Sequence, residues 1–98
     1  MSQVKLLAEI TAKAGKEAEL AQALQALVEP SRQDEGCVQY NLYQDDAQSG
    51  LFVMDEIWAS REALQLHEQT EHFQAFVHQT QQDGLLESLN LRFLTALA

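Results

Sequence analysis

Hydrophobic and polar residues alternate along the first part of the chain and then follow a longer period. The alternating apolar residues are Val4, Leu6, Ala8 and Ile10. A period of two is typical of a strand that buries one face. After Gly15 the apolar positions recur at steps of three and four, at Leu20, Ala23, Leu24, Leu27 and Val28. This second pattern predicts an amphipathic helix of about five turns.

The pattern after Gly36 predicts five further elements. They are strands at Cys37–Gln44 and Leu51–Trp58, a helix that begins at Ser60, a helix from Thr70 to Gln82, and a strand over 87–95. The element order β-α-β-β-α-α-β is close to the split βαβ plan of ferredoxin-like proteins. We therefore predict an α+β fold in which the helices cover one face of a four-stranded antiparallel sheet.

The predicted strand Leu51–Trp58 is apolar on both faces, so both faces need a cover. Its two sets of apolar side chains are Phe52, Met54 and Trp58 on one side, and Leu51, Val53 and Ile57 on the other. If helices cover the first set, the second set and one face of 89–93 form an exposed apolar patch. We therefore expect a homodimer in which two sheets pack against each other.

The chain has 98 residues and a formal net charge of −9, from 15 acidic and 6 basic residues. Its length is that of one domain, which we expect to span 1–98. The negative charge repels nucleic-acid phosphates and anionic membrane surfaces, so we expect neither as a partner. Residues 1–5 lack the features of a secretory signal, and the single Cys37 cannot form an internal disulfide. We expect a cytoplasmic protein.

Candidate chemistry gathers between positions 56 and 72, which include Glu56, Trp58, His67 and His72. Imidazole titrates near neutral pH, and burial on an apolar strand face raises the pKa of a carboxyl group, so both suit acid–base chemistry. Trp58 offers an apolar wall and one hydrogen-bond donor, although a lone tryptophan is more often a core residue. On the preceding strand, the Asn41 amide is a candidate donor to a substrate oxyanion.

The spacing of the two histidines does not favour a metal site. On one continuous helix His67 and His72 would lie about 140° apart, whereas helical zinc pairs use a spacing of four. A helix break at Thr70 would still bring both rings to one pocket. The chain contains no Gly-rich phosphate loop and no C-x-x-C pair. We expect neither a metal nor an organic cofactor.

The order of these residues resembles the antibiotic biosynthesis monooxygenase family of small dimeric α+β barrels. The similar features are the pair Glu56-x-Trp58 on a strand, a helix that begins at Ser60, His67, and the Thr-Glu-His-Phe segment at 70–73. The segment 34–45, which opens with acidic residues and a glycine, resembles the second strand of that family. The resemblance covers nearly the whole chain and implies a dimeric α/β barrel.

The resemblance also implies an activity and roles for residues. Such proteins oxidise electron-rich phenols, quinols or anthrone-like polyketides with O₂, without metal or flavin. His72 or His67 would be the base. Asn41 and Trp58 would orient and polarise the substrate oxygens, and Glu56 would fix the tautomer of a histidine. The remaining substrate contacts would be Phe52, Met54, Phe73 and Phe76.

Other members of the same family leave three alternatives. Haem-degrading members use an asparagine on the first strand, and positions 4–11 contain none. A second branch isomerises a phosphorylated sugar-derived signalling molecule, which would need clustered basic residues, and the six here are scattered. The third alternative is a non-catalytic module for small aromatic ligands or stress responses.

Overall fold

The computed structural model describes residues 2–98, which form four strands and three helices. The elements are β1 Val4–Ala12, α1 Glu17–Arg32, β2 Cys37–Gln44, β3 Leu51–Trp58, α2 Arg61–Glu68, α3 Glu71–Gln82 and β4 Leu86–Leu94. The predicted element order is therefore confirmed, and β2 and β3 have the predicted bounds. None of the helices within residues 2–98 is both long and apolar enough to cross a membrane.

The four strands form one antiparallel sheet in the order β2-β3-β1-β4. Strands β1 and β3 occupy the centre, and alternate residues of each are buried. Those side chains share one hydrophobic core with Leu20, Leu24 and Leu27 of α1 and with Leu64 of α2. The predicted α+β, ferredoxin-like fold is confirmed. The other face of the central strands is only half-buried.

The edge strand β4 corrects the prediction of one continuous apolar patch. Its register pairs Leu89 with Ile10 and Leu91 with Ala8. Paired residues of an antiparallel sheet project to the same side, so the apolar side chains of β4 lie on the helix side. Val53, by contrast, lies on the opposite face of the sheet. Leu89 and Leu91 are about half exposed, at 53% and 49%, because the helices do not fully cover this edge.

A close contact between the start of β2 and the helix α2 positions the loop that follows α1. Gly36 has a φ of +83°, which side chains disfavour, and a Cβ built there would lie 2.5 Å from the Cβ of Ala63. The Gly36 carbonyl also accepts a hydrogen bond of 2.7 Å from the Ala59 N–H. These contacts hold the neighbouring residue Asp34 beside the carboxyl end of α2.

Candidate active site

Two capped helices meet at Thr70 and bring the histidines together. The Thr70 hydroxyl accepts a hydrogen bond from the Phe73 N–H at the start of α3, and it donates to the His67 carbonyl at the end of α2. His67 therefore lies in the last turn of one helix and His72 in the first turn of the next. Their ring centroids are 6.0 Å apart. The separation expected on one continuous helix does not apply, because the helix breaks at Thr70.

A carboxylate that we did not predict as a site residue joins the two histidines. Asp34 Oδ2 lies 2.8 Å from His67 Nδ1 and 2.8 Å from His72 Nε2. When Asp34 is ionised both ring nitrogens donate to it, because a carboxylate can only accept. Asp34 lies in a loop between α1 and β2, where acidic residues are usually solvated. The signal in the sequence that could have identified Asp34 was its position two residues before Gly36.

His67 is enclosed by aromatic rings. The centroids of Trp58, Phe73 and Tyr40 lie 4.5, 5.0 and 5.5 Å from its own. Burial lowers the pKa of His67, and the Asp34 carboxylate opposes that shift, which favours the neutral ring near pH 7. With the Nδ1 proton bonded to Asp34, Nε2 holds the lone pair. This Nε2 is buried and has no hydrogen-bond partner within residues 2–98.

Glu56 is bonded to the indole and not to a histidine. The Trp58 Nε1–H donates a hydrogen bond of 2.8 Å to Glu56 Oε1. The pKa of Glu56 is raised to about 7: burial raises it most, the indole hydrogen bond lowers it, and the nearby charges of Glu68 and Asp55 raise it. We expected Glu56 to fix a histidine tautomer, but the carboxylate that is hydrogen-bonded to the histidines is Asp34. The indole donor that we expected to face a substrate is used by Glu56.

An apolar cavity of about 260 Å³ lies between α1, α3 and the helix side of the sheet. Five of the predicted site residues line it, which are Met54, Glu56, His67, Phe73 and Phe76. Three others lie outside the lining, which are Phe52, Trp58 and His72. Phe52 and Trp58 are buried in the core. His72 is linked to the cavity by two hydrogen bonds, because it contacts Asp34, and Asp34 contacts His67, which lines the cavity.

Asn41 lies away from this cavity. Tyr40 pairs with Glu56 and faces the helices, so the next residue along β2 faces the opposite side of the sheet. The Asn41 side-chain oxygen accepts a hydrogen bond of 3.2 Å from the Arg32 guanidinium. The structure therefore does not bring Asn41 to His67. Tyr40, which we did not predict, lines the cavity, and burial raises the pKa of its hydroxyl far above the ordinary value.

Similar proteins occur among curated sequences and solved structures. The protein named "Putative monooxygenase YcnE" from Bacillus subtilis is 40% identical over 72 residues, which are 74% of this chain and 76% of that protein. Protein sll1783 from Synechocystis sp. is 37% identical over 71 residues, 72% of this chain. The chain covers about half, 48%, of the length of that relative.

The fold and the family are shown by two further matches. The crystal structure of PA3566 from Pseudomonas aeruginosa has a TM-score of 0.93 and 41% identity, and the match covers 100% of this chain and 97% of that one. The family model for antibiotic biosynthesis monooxygenase matches residues 3–79. These residues include β1 to β3, all of α2, most of α3 with His72, and Asp34. The chain belongs to the antibiotic biosynthesis monooxygenase family.

Proposed function

We propose that this protein is a monooxygenase that oxidises a small hydroquinone, phenol or anthrone-like compound with O₂, without a metal or flavin. One observation carries the proposal: a buried, unpaired Nε2 on His67 beside an apolar cavity, with the other ring nitrogen bonded to Asp34. Leaving such an atom unpaired costs about 1–3 kcal/mol. A substrate hydroxyl donating to Nε2 would remove that cost.

The proposed first step is proton transfer from the substrate hydroxyl to His67 Nε2. The ring then becomes an imidazolium, and the Asp34 carboxylate at Nδ1 stabilises its charge. The substrate is left as a phenolate or enolate, which donates an electron far more readily than the neutral form. His72 is a positioning residue in this scheme, because it holds Asp34 through a second hydrogen bond.

The proposed overall reaction needs no external reductant. A hydroquinone and O₂ have the same atoms as a hydroxyquinone and one water. The substrate anion passes one electron to O₂, the two radicals join in a C–O bond, and the resulting hydroperoxide loses water. One oxygen atom of O₂ therefore enters the product and the other leaves as water. The substrate itself supplies the electrons, and the apolar cavity limits competing reactions with solvent.

The lining of the cavity supports a neutral aromatic substrate. An apolar cavity of about 150 Å³ holds benzene, so about 260 Å³ suits one or two rings. The charged residues that line it, Glu56 and Glu68, are both acidic, which disfavours a sugar phosphate. Because Glu56 Oε1 accepts from the indole, its other oxygen is available to carry the proton near neutral pH. We propose that this group donates to a second substrate oxygen.

The proposed setting is a homodimer in the cytoplasm. The half-buried open face of the sheet supports a dimer, since it carries Leu7, Leu51, Val53 and Ile57. The single cysteine and the acidic composition agree with a reducing compartment and with a lack of nucleic-acid partners. The small aromatic substrate and O₂ are the partners that the proposed reaction needs.

The test is O₂ uptake by chelator-treated protein with a panel of hydroquinones and anthrone-like phenols, in the presence of catalase and superoxide dismutase. Uptake should exceed autoxidation and fall by roughly 10²–10⁴-fold in His67→Gln, because general-base catalysis contributes that much. His78→Gln, at the third and exposed histidine, is the matched control and should behave as the wild type. With ¹⁸O₂, the product should carry one labelled atom.

Two outcomes would contradict the proposal. Uptake that is equal in His67→Gln and in the wild type would remove His67 as the base. A lack of uptake across the panel, together with thermal stabilisation by the same compounds, would instead support the ligand-binding alternative. Circular dichroism of each variant shows whether a loss of activity is a loss of fold.

A further inference from the structure

The cluster of Asp34, His67 and His72 has the composition of a transition-metal site. Each residue offers one ligand atom, and the three atoms lie within 4.8 Å of one another. Two imidazoles and one carboxylate are a donor set that Zn²⁺ and related divalent ions use with an open fourth position. We propose that this cluster binds one divalent transition-metal ion such as Zn²⁺, and that the bound ion inhibits the site.

The spacing of the donor atoms suits such an ion. The two ring nitrogens each lie 2.8 Å from Asp34 Oδ2. With metal–ligand distances of about 2.0–2.1 Å, neighbouring donors in a tetrahedral site are about 3.3–3.4 Å apart. Each nitrogen therefore needs to move about half an ångström away from the carboxylate oxygen, and the two nitrogens, which are at most 4.8 Å apart, need to reach the same spacing from each other. The ion replaces the two hydrogen bonds with three coordinate bonds, one to the carboxylate oxygen and one to each ring nitrogen.

The cluster is accessible from one side and closed on the other. The His72 side chain is 25% exposed and that of Asp34 13%, whereas that of His67 is 1% exposed. An ion can therefore reach the carboxylate and the outer imidazole from solvent while the inner imidazole stays packed among aromatic rings. The formal net charge of −9 raises the local concentration of cations around the protein.

Binding of the ion changes the tautomer of His67. Without the ion, Nδ1–H donates to Asp34 and Nε2 holds the lone pair. A coordinated Nδ1 must give its lone pair to the metal, so the proton of the neutral ring moves to Nε2. His72 changes in the opposite sense, from Nε2–H to Nδ1–H, and two neutral rings lose no net proton. Nε2 of His67 can then no longer accept a proton, which is why the ion inhibits; this consequence rests on the proposed function.

The binding itself is tested without any turnover. Chelator-treated protein without a histidine tag is titrated with ZnCl₂ by calorimetry, and with CoCl₂ by visible absorption. We expect one ion per chain and a loss of affinity of at least tenfold in both Asp34→Asn and His72→Gln. His78→Gln keeps the same number of histidines as His72→Gln but leaves the cluster intact, so its affinity should be that of the wild type.

Nitrogen-15 NMR of the histidine rings gives a second measurement. On addition of ZnCl₂, the proton of His67 should move from Nδ1 to Nε2 in the wild type and in His78→Gln. Equal Zn²⁺ affinity in all four proteins, or a His67 tautomer that ZnCl₂ leaves unchanged, would overturn the proposed site. Circular dichroism is used to exclude loss of fold in the Asp34 and His72 variants.

Different results would contradict the metal site and the proposed function. Zn²⁺ binding at the cluster without O₂ uptake on any substrate would leave the metal site and remove its inhibitory consequence. O₂ uptake that Zn²⁺ does not affect, in a protein that binds no ion, would leave the proposed function and remove the metal site. If both hold, uptake by the wild type and by His78→Gln should fall with Zn²⁺ occupancy.

Discussion

Two carboxyl groups beside the cavity differ in their surroundings and therefore in what they can do. Asp34 is partly exposed and accepts hydrogen bonds from two histidines. Glu56 is buried on an apolar strand face and accepts one bond, from the Trp58 indole. Burial raises the pKa of Glu56 to about 7. In the proposed reaction Asp34 supports the base His67 and Glu56 donates a proton, and acids in different environments commonly take different tasks in this way.

The raised pKa of Glu56 predicts a stability that falls as pH rises. Between the ordinary value of 4.5 and about 7, the folded protein binds the Glu56 proton more strongly than the unfolded chain does. The stabilisation is complete below pH 4.5 and is lost as the pH rises through about 7. Glu56→Gln removes this titration and keeps an oxygen for the indole bond. Its free energy of unfolding relative to the wild type should rise by up to about 3 kcal/mol between pH 4.5 and 8.

Chemical denaturation across this pH range measures the difference. The matched control is Glu35→Gln, which makes the same substitution at an exposed glutamate. Its free energy of unfolding should stay parallel to that of the wild type. Parallel curves for Glu56→Gln as well would show that the Glu56 carboxyl is solvated in the folded protein.

Asp34 should matter for turnover more than its loop position indicates. In Asp34→Asn the imidazolium that the proposed reaction forms on His67 loses its neighbouring charge, and the amide no longer selects the Nδ1–H tautomer. The value of kcat should fall by roughly 10²–10⁴-fold, as for other carboxylate–histidine pairs. Glu35→Gln, one residue away, should keep wild-type kcat. A small effect of Asp34→Asn on kcat would mean that His67 is oriented by its aromatic contacts alone.

At the scale of the elements, the contact between Gly36 and α2 holds the Asp34 loop in place. Gly36 and Gly15 share nearly the same φ, +83° and +85°, but only Gly36 faces a neighbour within 4 Å. Gly15→Ala should therefore cost about 1–2 kcal/mol for backbone conformation alone. Gly36→Ala should cost more than that, because its Cβ would also meet the Cβ of Ala63 at 2.5 Å. Urea denaturation of both variants gives the comparison.

If Gly36→Ala lowers the free energy of unfolding no more than Gly15→Ala does, α2 can shift enough to accommodate the new Cβ. The loop would then owe its position to the Asp34 hydrogen bonds. If the larger cost is observed, Gly36→Ala should cost less in an Ala63→Gly background than in the wild type, because only the backbone part is left.

The sequence predicted the helices and strands better than it predicted the site. Runs of apolar, aromatic and β-branched residues on either side of the polar loop 45–50 marked β2 and β3, and the caps Ser60 and Thr70 marked the starts of α2 and α3. The side of β4 was not predictable, because it depends on register with β1. Asp34 was missed for a similar reason, since only the folded loop brings it to two residues more than 30 positions away. Local patterns carry no information about such pairings.

At the scale of the whole molecule, two surfaces remain half exposed and lie on opposite sides of the sheet. One is the open face of the central strands, where Lys5 and Asp55 form an ion pair among apolar residues. The other is the helix side of β4, with Leu89, Leu91 and Phe93. The predicted sheet-to-sheet homodimer would cover the first surface. It stays a prediction.

Sedimentation velocity tests this dimer with one substitution on each surface. Val53→Lys places a charge near the centre of the open face, and should shift the protein from dimer to monomer at micromolar concentration. Leu91→Lys places the same charge on the helix side of β4, and should leave the dimer intact. Dissociation by Leu91→Lys alone would assign the interface to β4, and a wild-type monomer would remove the dimer.

The edge strand β4 lines the cavity although it lies outside the part of the chain that the family model matches. The family model ends at residue 79, before β4 begins, yet Leu86, Leu89 and Leu91 form one wall of the cavity. The histidines and both carboxyl groups belong to the part of the chain that the family model matches. The groups of the proposed proton transfer thus lie in one segment of the chain, and the shape of the cavity depends partly on another. Substitutions in β4 should therefore change which small molecules fit the cavity without altering the two histidines and the two carboxyl groups.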